Sequence, residues 1–227
     1  METIELIENL ALLVALSLIF TFILRYRNMS QRTGKILAGL LFGSIAAFGI
    51  LYSWIHEVGV IFDGRSVIIP MAGIFGGWAA ALLAGIIAAT ARIFIGGAGI
   101  IPGLITIAIA VLGGILFGIF RKKYPAINQP LGFWAGGFVI HLFVVAIMVT
   151  LPNSAQSSFY QTIMPVFLII YPLAFTLLAA LLSYQEKSNS TLEQLTQSEE
   201  KHQLLASSAF EAILITDGKS VIDMNHA

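Results

Sequence analysis

Apolar positions in this chain come in long runs. Six runs are long enough to cross a bilayer as helices, at 7–24, 36–55, 67–94, 101–120, 132–151 and 162–183, since a spanning helix needs about 20 mainly apolar residues. Polar or turn-forming residues bound each one. Arg25-Tyr26-Arg27-Asn28 ends the first and His56-Glu57 the second. Asp63-Gly64-Arg65 precedes the third, and Gly96-Gly97-Ala98-Gly99 separates it from the fourth. Arg121-Lys122-Lys123-Tyr124-Pro125 closes the fourth, Pro152-Asn153-Ser154 the fifth and Gln185-Glu186-Lys187 the sixth. From Pro130 through Gln185 there is no Asp, Glu, Lys or Arg. Tyr171-Pro172 marks a kink in the last run, because proline removes a backbone donor and crowds the preceding turn.

Small residues recur every four positions within these runs. Gly73, Gly77, Ala81, Gly85 and Ala89 make one continuous stripe down the third. Gly39, Gly43 and Ala47 do so in the second, Ala110, Gly114 and Gly118 in the fourth, and Gly132 and Gly136 in the fifth. Such stripes let helix backbones approach closely in lipid. Gly73, Gly77, Ala81, Gly85, Gly114 and Gly118 are the expected helix-packing positions. The fold class that follows is all-α: a polytopic membrane bundle of about six helices, 1–184.

Beyond Tyr184 the pattern changes. Residues 185–203 are polar, with Leu192 and Leu195 as the main apolar positions. They read as a linker helix leaving the membrane, with the spacing of a weak coiled-coil seam. From 204 to 227, two short apolar runs flank Asp217-Gly218, a hairpin signal.

Composition agrees with a lipid environment. Hydrophobic residues make up 58% and charged residues 11% of the chain, less than half the ~25% charge of soluble domains. Twelve basic and twelve acidic residues leave no net charge, so no basic field points to nucleic acid. With no cysteine, disulfides and thiol-based metal or redox sites are excluded. Glu2, Glu5 and Glu8 stand where a secretory signal would carry Lys or Arg.

Orientation is in conflict at this level. Six crossings with a cytoplasmic tail put Arg121-Lys122-Lys123 inside, as the positive-inside rule expects. The same count puts Arg25, Arg27, Arg32 and Lys35 outside. A five-span arrangement with one re-entrant segment would place both clusters inside. Six spans are preferred because all six runs are long enough.

The ordered set Asp63-Gly64-Arg65, Gly73-Ile74-Phe75-Gly76-Gly77, Arg92-Ile93-Phe94-Ile95-Gly96-Gly97 and Arg121-Lys122-Lys123-Tyr124-Pro125 resembles the LytS-type five-transmembrane receptor region, 5TMR-LYT, over about residues 5–185. That family's first motif often begins with Asn, where this chain has Asp63. Residues 198–227 look like the start of a PAS domain, with 212–217 and 221–225 fitting its first two strands and the chain expected to stop inside it. The resemblance implies the sensor half of a bacterial signalling protein in the plasma membrane. Its C-terminus would be cytoplasmic, feeding a histidine kinase or a cyclic-dinucleotide enzyme. The implied signals are murein-related or other small extracellular molecules, or membrane potential.

The candidate ligand residues are Asp63, Arg65, Arg92, Gly96 and Gly97. Arg92 fits two readings: an interfacial arginine reaching headgroups, or a cation in a bundle pocket holding an anion or an internal carboxylate. An Asp63–Arg92 bond is not expected, because a straight third span holds them at opposite ends unless the helix breaks. Gly96, Gly97 and Gly99 either offer free backbone donors or only make a tight turn. His141 reads first as a hydrogen-bonded packing residue and second as a pH sensor. No phosphate loop, zinc motif or nucleophile elbow occurs, so no catalytic residue, cofactor or metal is expected within this chain. The expected partners are the lipid bilayer, a second copy in a homodimer and an unknown small ligand. The rival reading is a small-solute transporter or its substrate-binding component.

Overall fold

The fold was taken from a computed structural model that describes residues 31–51, 54–57, 60–151, 156, 159–207, 214–216 and 220–224. The first expected span, 7–24, lies outside the described residues. The chain divides into two compact units, Met1–Tyr184 and Gln185–Ala227.

The first unit is a helical bundle. Its elements are α1 (Gln31–Leu51), a hairpin of β1 (Trp54–Glu57) and β2 (Val60–Phe62), α2 (Arg65–Met71), α3 (Trp78–Ile95), α4 (Ile100–Lys123) and α5 (Pro130–Ile147). The last is α6 (Met164–Ser207), which begins in this unit. Five of these helices, α1 and α3–α6, are long and apolar enough to cross a membrane, so the protein is a multi-pass membrane protein. Large apolar side chains such as Phe94, Leu112, Leu131, Phe143 and Leu177 stand exposed on its outside. In water such a surface would be a liability. Against lipid it is the expected exterior.

Two expectations are corrected. The second run does not stay helical to residue 55. It ends at Leu51, and the chain enters the antiparallel β1–β2 pair, with Trp54 opposite Phe62. The third run, expected as one helix over 67–94, is two pieces. Helix α2 runs into a π-helical turn, Ala72–Gly76, and stops. Gly77 then takes φ 83° and ψ −177°, a conformation that is essentially glycine-only. Helix α3 starts afresh at Trp78. Gly77 therefore is a break and not a packing position: a Cβ there would meet nothing within 4 Å.

The break reverses the chain. Gly39 faces Ala80 and Leu83, and Gly43 faces Ala84 and Ile87, so α1 and α3 run parallel. Two parallel helices need a return between them, and α2 with its π turn is that return. It is parallel in turn to α4, with Pro70 on Gly114 and Gly73 on Gly118. Helices α3 and α4 are antiparallel, as Gly85 on Val111 and Arg92 on Gly103 require. So are α4 and α5, with Gly113 on Ile140 and Gly136 on Phe117. So are α5 and α6, with Gly137 on Phe175 and His141 on Tyr171.

Every crossing thus alternates. The starts of α1, α3 and α5 lie at one end of the bundle with the ends of α2 and α4. That end carries Arg32, Lys35, Arg121, Lys122 and Lys123. Helix α6 also heads towards it, from Phe167 down to Leu182. The orientation conflict in the sequence arose from counting α2 and α3 as one crossing.

Helix α2 is enclosed on all sides: every residue from Arg65 to Ile74 is buried. Its close packing depends on glycine. A Cβ on Gly73 or Gly114 would come within 2.6 Å of the facing backbone, closer than real Cβ contacts allow. At its C-terminal end Arg121 donates to the Ile74 carbonyl at 3.3 Å and to Asn128 Oδ1 at 2.9 Å. The same guanidinium lies 4.5 Å from the Phe75 ring centroid. Free carbonyls inside a bilayer need such a donor, and a cation suits a helix C-terminus.

In the second unit, the helical residues of α6 place Leu192, Leu195, Leu204 and Leu205 on the surface. Strand β3 (Leu214–Thr216) pairs antiparallel with β4 (Val221–Met224), with Ile215 opposite Asp223.

Candidate functional site

The buried charges gather at the bundle end opposite the basic cluster. Asp63 follows β2 directly, and Arg65 opens α2. The Arg65 guanidinium grips the Asp63 carboxylate along one edge: Nε donates to Oδ1 at 2.8 Å, and Nη2 lies 2.5 Å from Oδ2. The Arg65 backbone N–H also donates to Oδ1, at 2.9 Å. Asp63 and Arg65 are 4% and 5% exposed. Charges this deep persist only when paired and hydrogen-bonded.

Arg92 is brought to the same end by the chain reversal at Gly77. It is 1% exposed, so it does not reach out to headgroups. Its guanidinium packs on Gly103 of α4, and Nη1 donates to the Gly96 carbonyl at 2.8 Å. It lies close enough to Arg65 and Asp63 to feel both charges. The broken helix therefore joins Asp63 and Arg92 in one electrostatic cluster, which a straight span would have kept apart.

A small cavity opens beside the pair. It is lined by Asp63, Arg65 and Ser66, by Gly99, Gly103 and Thr106 at the start of α4, and by Phe167 of α6, among others. Of the sequence candidates, Asp63 and Arg65 reach this cavity. Arg92 stands behind Gly103 in its wall. Gly96 and Gly97 form the turn from α3 to α4 with φ 76° and 85°, and Gly96 holds Arg92 through its carbonyl.

Two hydrogen-bonded connections lead away from the cluster, and neither is marked by a local sequence signal. Ser66 Oγ lies 3.1 Å from His141 Nε2, and His141 Nδ1 lies 2.7 Å from the Gly137 carbonyl. A carbonyl only accepts, so Nδ1 carries the proton. In a neutral ring Nε2 then accepts from the Ser66 hydroxyl. His141, fully buried, is thus the hydrogen-bonded packing residue of the first reading. The second connection runs from Tyr171 Oη, which donates to the Asp63 backbone carbonyl at 3.2 Å. Tyr171 stacks on Phe167, with ring centroids 4.3 Å apart, and meets the His141 ring edge-on. Gly103, Thr106, Phe167 and Tyr171 were missed. The recurrence of small residues at Gly99 and Gly103 was the available signal for the first of these.

No curated protein and no solved structure matches the chain significantly. The family model described as "5TMR of 5TMR-LYT" matches residues 17–185, which include every residue of the charge cluster and both connections. The chain belongs to the 5TMR-LYT family, and its bundle is a transmembrane sensor region of signalling proteins.

Proposed function

We propose that the bundle is the receptor module of a sensor histidine kinase or a diguanylate cyclase, and that it takes a small anion at the Asp63–Arg65–Arg92 cluster. The observation that carries this reading is the buried Asp63–Arg65 ion pair in the wall of a cavity that α6 also walls, with Arg92 close by. A buried guanidinium presents paired N–H donors that match a carboxylate or phosphate. The same helix that contributes Phe167 to the wall continues past Tyr184. A shift of α6 on binding is therefore the route by which the signal leaves the membrane.

The basic end of the bundle faces the cytoplasm in this reading, in line with the positive-inside rule. The linker over 185–203 would then pass the signal to a PAS domain beginning at 204–227, in a homodimer within the plasma membrane. The family match and the continuation of α6 past Tyr184 support a receptor over a transporter.

Thermal unfolding of the detergent-purified chain, titrated with acetate and with inorganic phosphate, tests this. Wild type should gain thermal stability with increasing anion, by the mass-action rule for a ligand that binds only the folded state. Arg65→Ala and Arg92→Ala should each lose that gain. An unchanged melting temperature in wild type with both anions, against a chloride-matched control, would remove the anion reading.

A further inference from the structure

Three of the residues that line the cavity carry side-chain oxygens: Asp63, Ser66 and Thr106. All three are buried, and what they have left to offer is acceptor capacity. Thr106 Oγ1 donates its proton to the Pro102 carbonyl at 2.8 Å. Ser66 Oγ donates to His141 Nε2, because His141 Nδ1 carries the proton held on the Gly137 carbonyl. A hydroxyl has one proton and two lone pairs, so both now present lone pairs only. Asp63 Oδ2 lies against Arg65 Nη2 and accepts no other hydrogen bond among the described residues. Its charge is already met by Arg65, so these oxygens call for a neutral donor and not for a cation.

We infer that the cavity is a hydroxyl-binding pocket: it takes a small hydroxylated molecule whose O–H donates to Thr106 Oγ1, with Ser66 Oγ as the second acceptor. Met148, Leu151 and Phe167 supply an apolar wall for the carbon that bears the hydroxyl. The cavity measures about 30 Å³. One water takes about 10–15 Å³ on that scale, so a hydroxymethyl group fits and a ring does not. Discrimination follows from the bonds already made. A ligand that asked Ser66 to donate would strip the buried His141 Nε2 of its donor, which is costly. A carbonyl or ether oxygen in the hydroxyl's place would set lone pairs against lone pairs. The pocket shares its cavity with the anion reading above but does not use its charge argument. The donor is required whether the rest of the molecule is neutral or anionic.

The test uses the full chain in detergent and two pairs of probes that differ by one hydroxyl: hydroxyacetone against acetone, and glycolate against acetate. Dissociation constants come from the rise of melting temperature with probe concentration. In each pair the hydroxylated probe should bind wild type about fivefold more tightly, the scale of one neutral hydrogen bond. Thr106→Val keeps the branched shape and removes the oxygen, so it should lose that margin. Thr106→Ser keeps the oxygen and should retain it. The comparison of probes in wild type decides the matter even should Thr106→Val fail to fold.

No margin between hydroxyacetone and acetone in wild type would overturn the inference, as would a full margin in Thr106→Val. Acetate binding with no hydroxyl margin in either pair would leave the anion reading standing alone. A hydroxyl margin in both pairs, with glycolate and acetate bound no more tightly than their neutral counterparts, would remove the anion reading and keep the hydroxyl pocket.

Discussion

Gly114 of α4 lies backbone to backbone against Pro70 of α2, so that a methyl group on Gly114 would stand 2.6 Å from the Pro70 Cα. Neither side can yield cheaply, because both are main chain in the middle of buried helices. This contact fixes the depth of α2 and with it the position of Arg65 five residues earlier.

Gly114→Ala should therefore destabilise the bundle by about 1–3 kcal/mol, the usual cost of overpacking. Gly49→Ala, where a Cβ meets nothing within 4 Å, should be neutral or slightly stabilising. Thermal unfolding in one detergent compares the two.

Gly77→Ala should also destabilise, though its Cβ has open space. The cost is conformational, about 1–3 kcal/mol for a non-glycine residue held at φ 83°. A normal melting temperature for this variant would mean that the chain does not reverse there.

The alternation of crossings makes a prediction about sides. Single cysteines introduced as Thr33→Cys and Tyr124→Cys should react with an impermeant maleimide from one face of the membrane. Ala98→Cys should react from the other. Labelling of Thr33→Cys and Tyr124→Cys from opposite faces would contradict the return through α2. The absence of native cysteine makes the measurement clean.

Ser66→Ala should cost about 1–3 kcal/mol, because His141 Nε2 then loses its donor in a buried place. Ser66→Thr keeps the hydroxyl and should recover part of the loss. Arg121→Lys should cost about 1–2 kcal/mol, since an ammonium cannot serve Asn128, the Ile74 carbonyl and the Phe75 face together. Lys122→Arg should be silent. Unfolding curves of the four variants would separate these cases.

Much of this architecture is legible in the sequence, since lipid imposes long apolar runs and charged or glycine-rich stops. Helices α4 and α5 fall close to where their runs lie. The reversal at Gly77 is hidden because Gly77 sits in register with Gly73 and Gly85, and nothing in the residue type separates a hinge from a packing glycine. The Trp54–Phe62 hairpin is hidden too, since Trp54 and Ile55 extend the second run without a break. At the site, charges in apolar surroundings mark Asp63, Arg65 and Arg92 unaided. Their gathering depends on the reversal. Ser66 and His141 are 75 positions apart, and Tyr171 is 108 from Asp63. Pairings at that separation are set by packing and leave no local trace.

Helix α2 and its π turn together hold twelve residues, a rise of only about 18 Å inside a membrane whose hydrocarbon is about 30 Å thick. Such a piece cannot touch headgroups at both ends. Its level in the membrane is dictated by Gly114, Gly118 and Arg121, not by lipid length. Thicker or thinner bilayers will tilt the longer outer helices while this inner pillar stays at its own height, so the wall beside Arg65 slides past it.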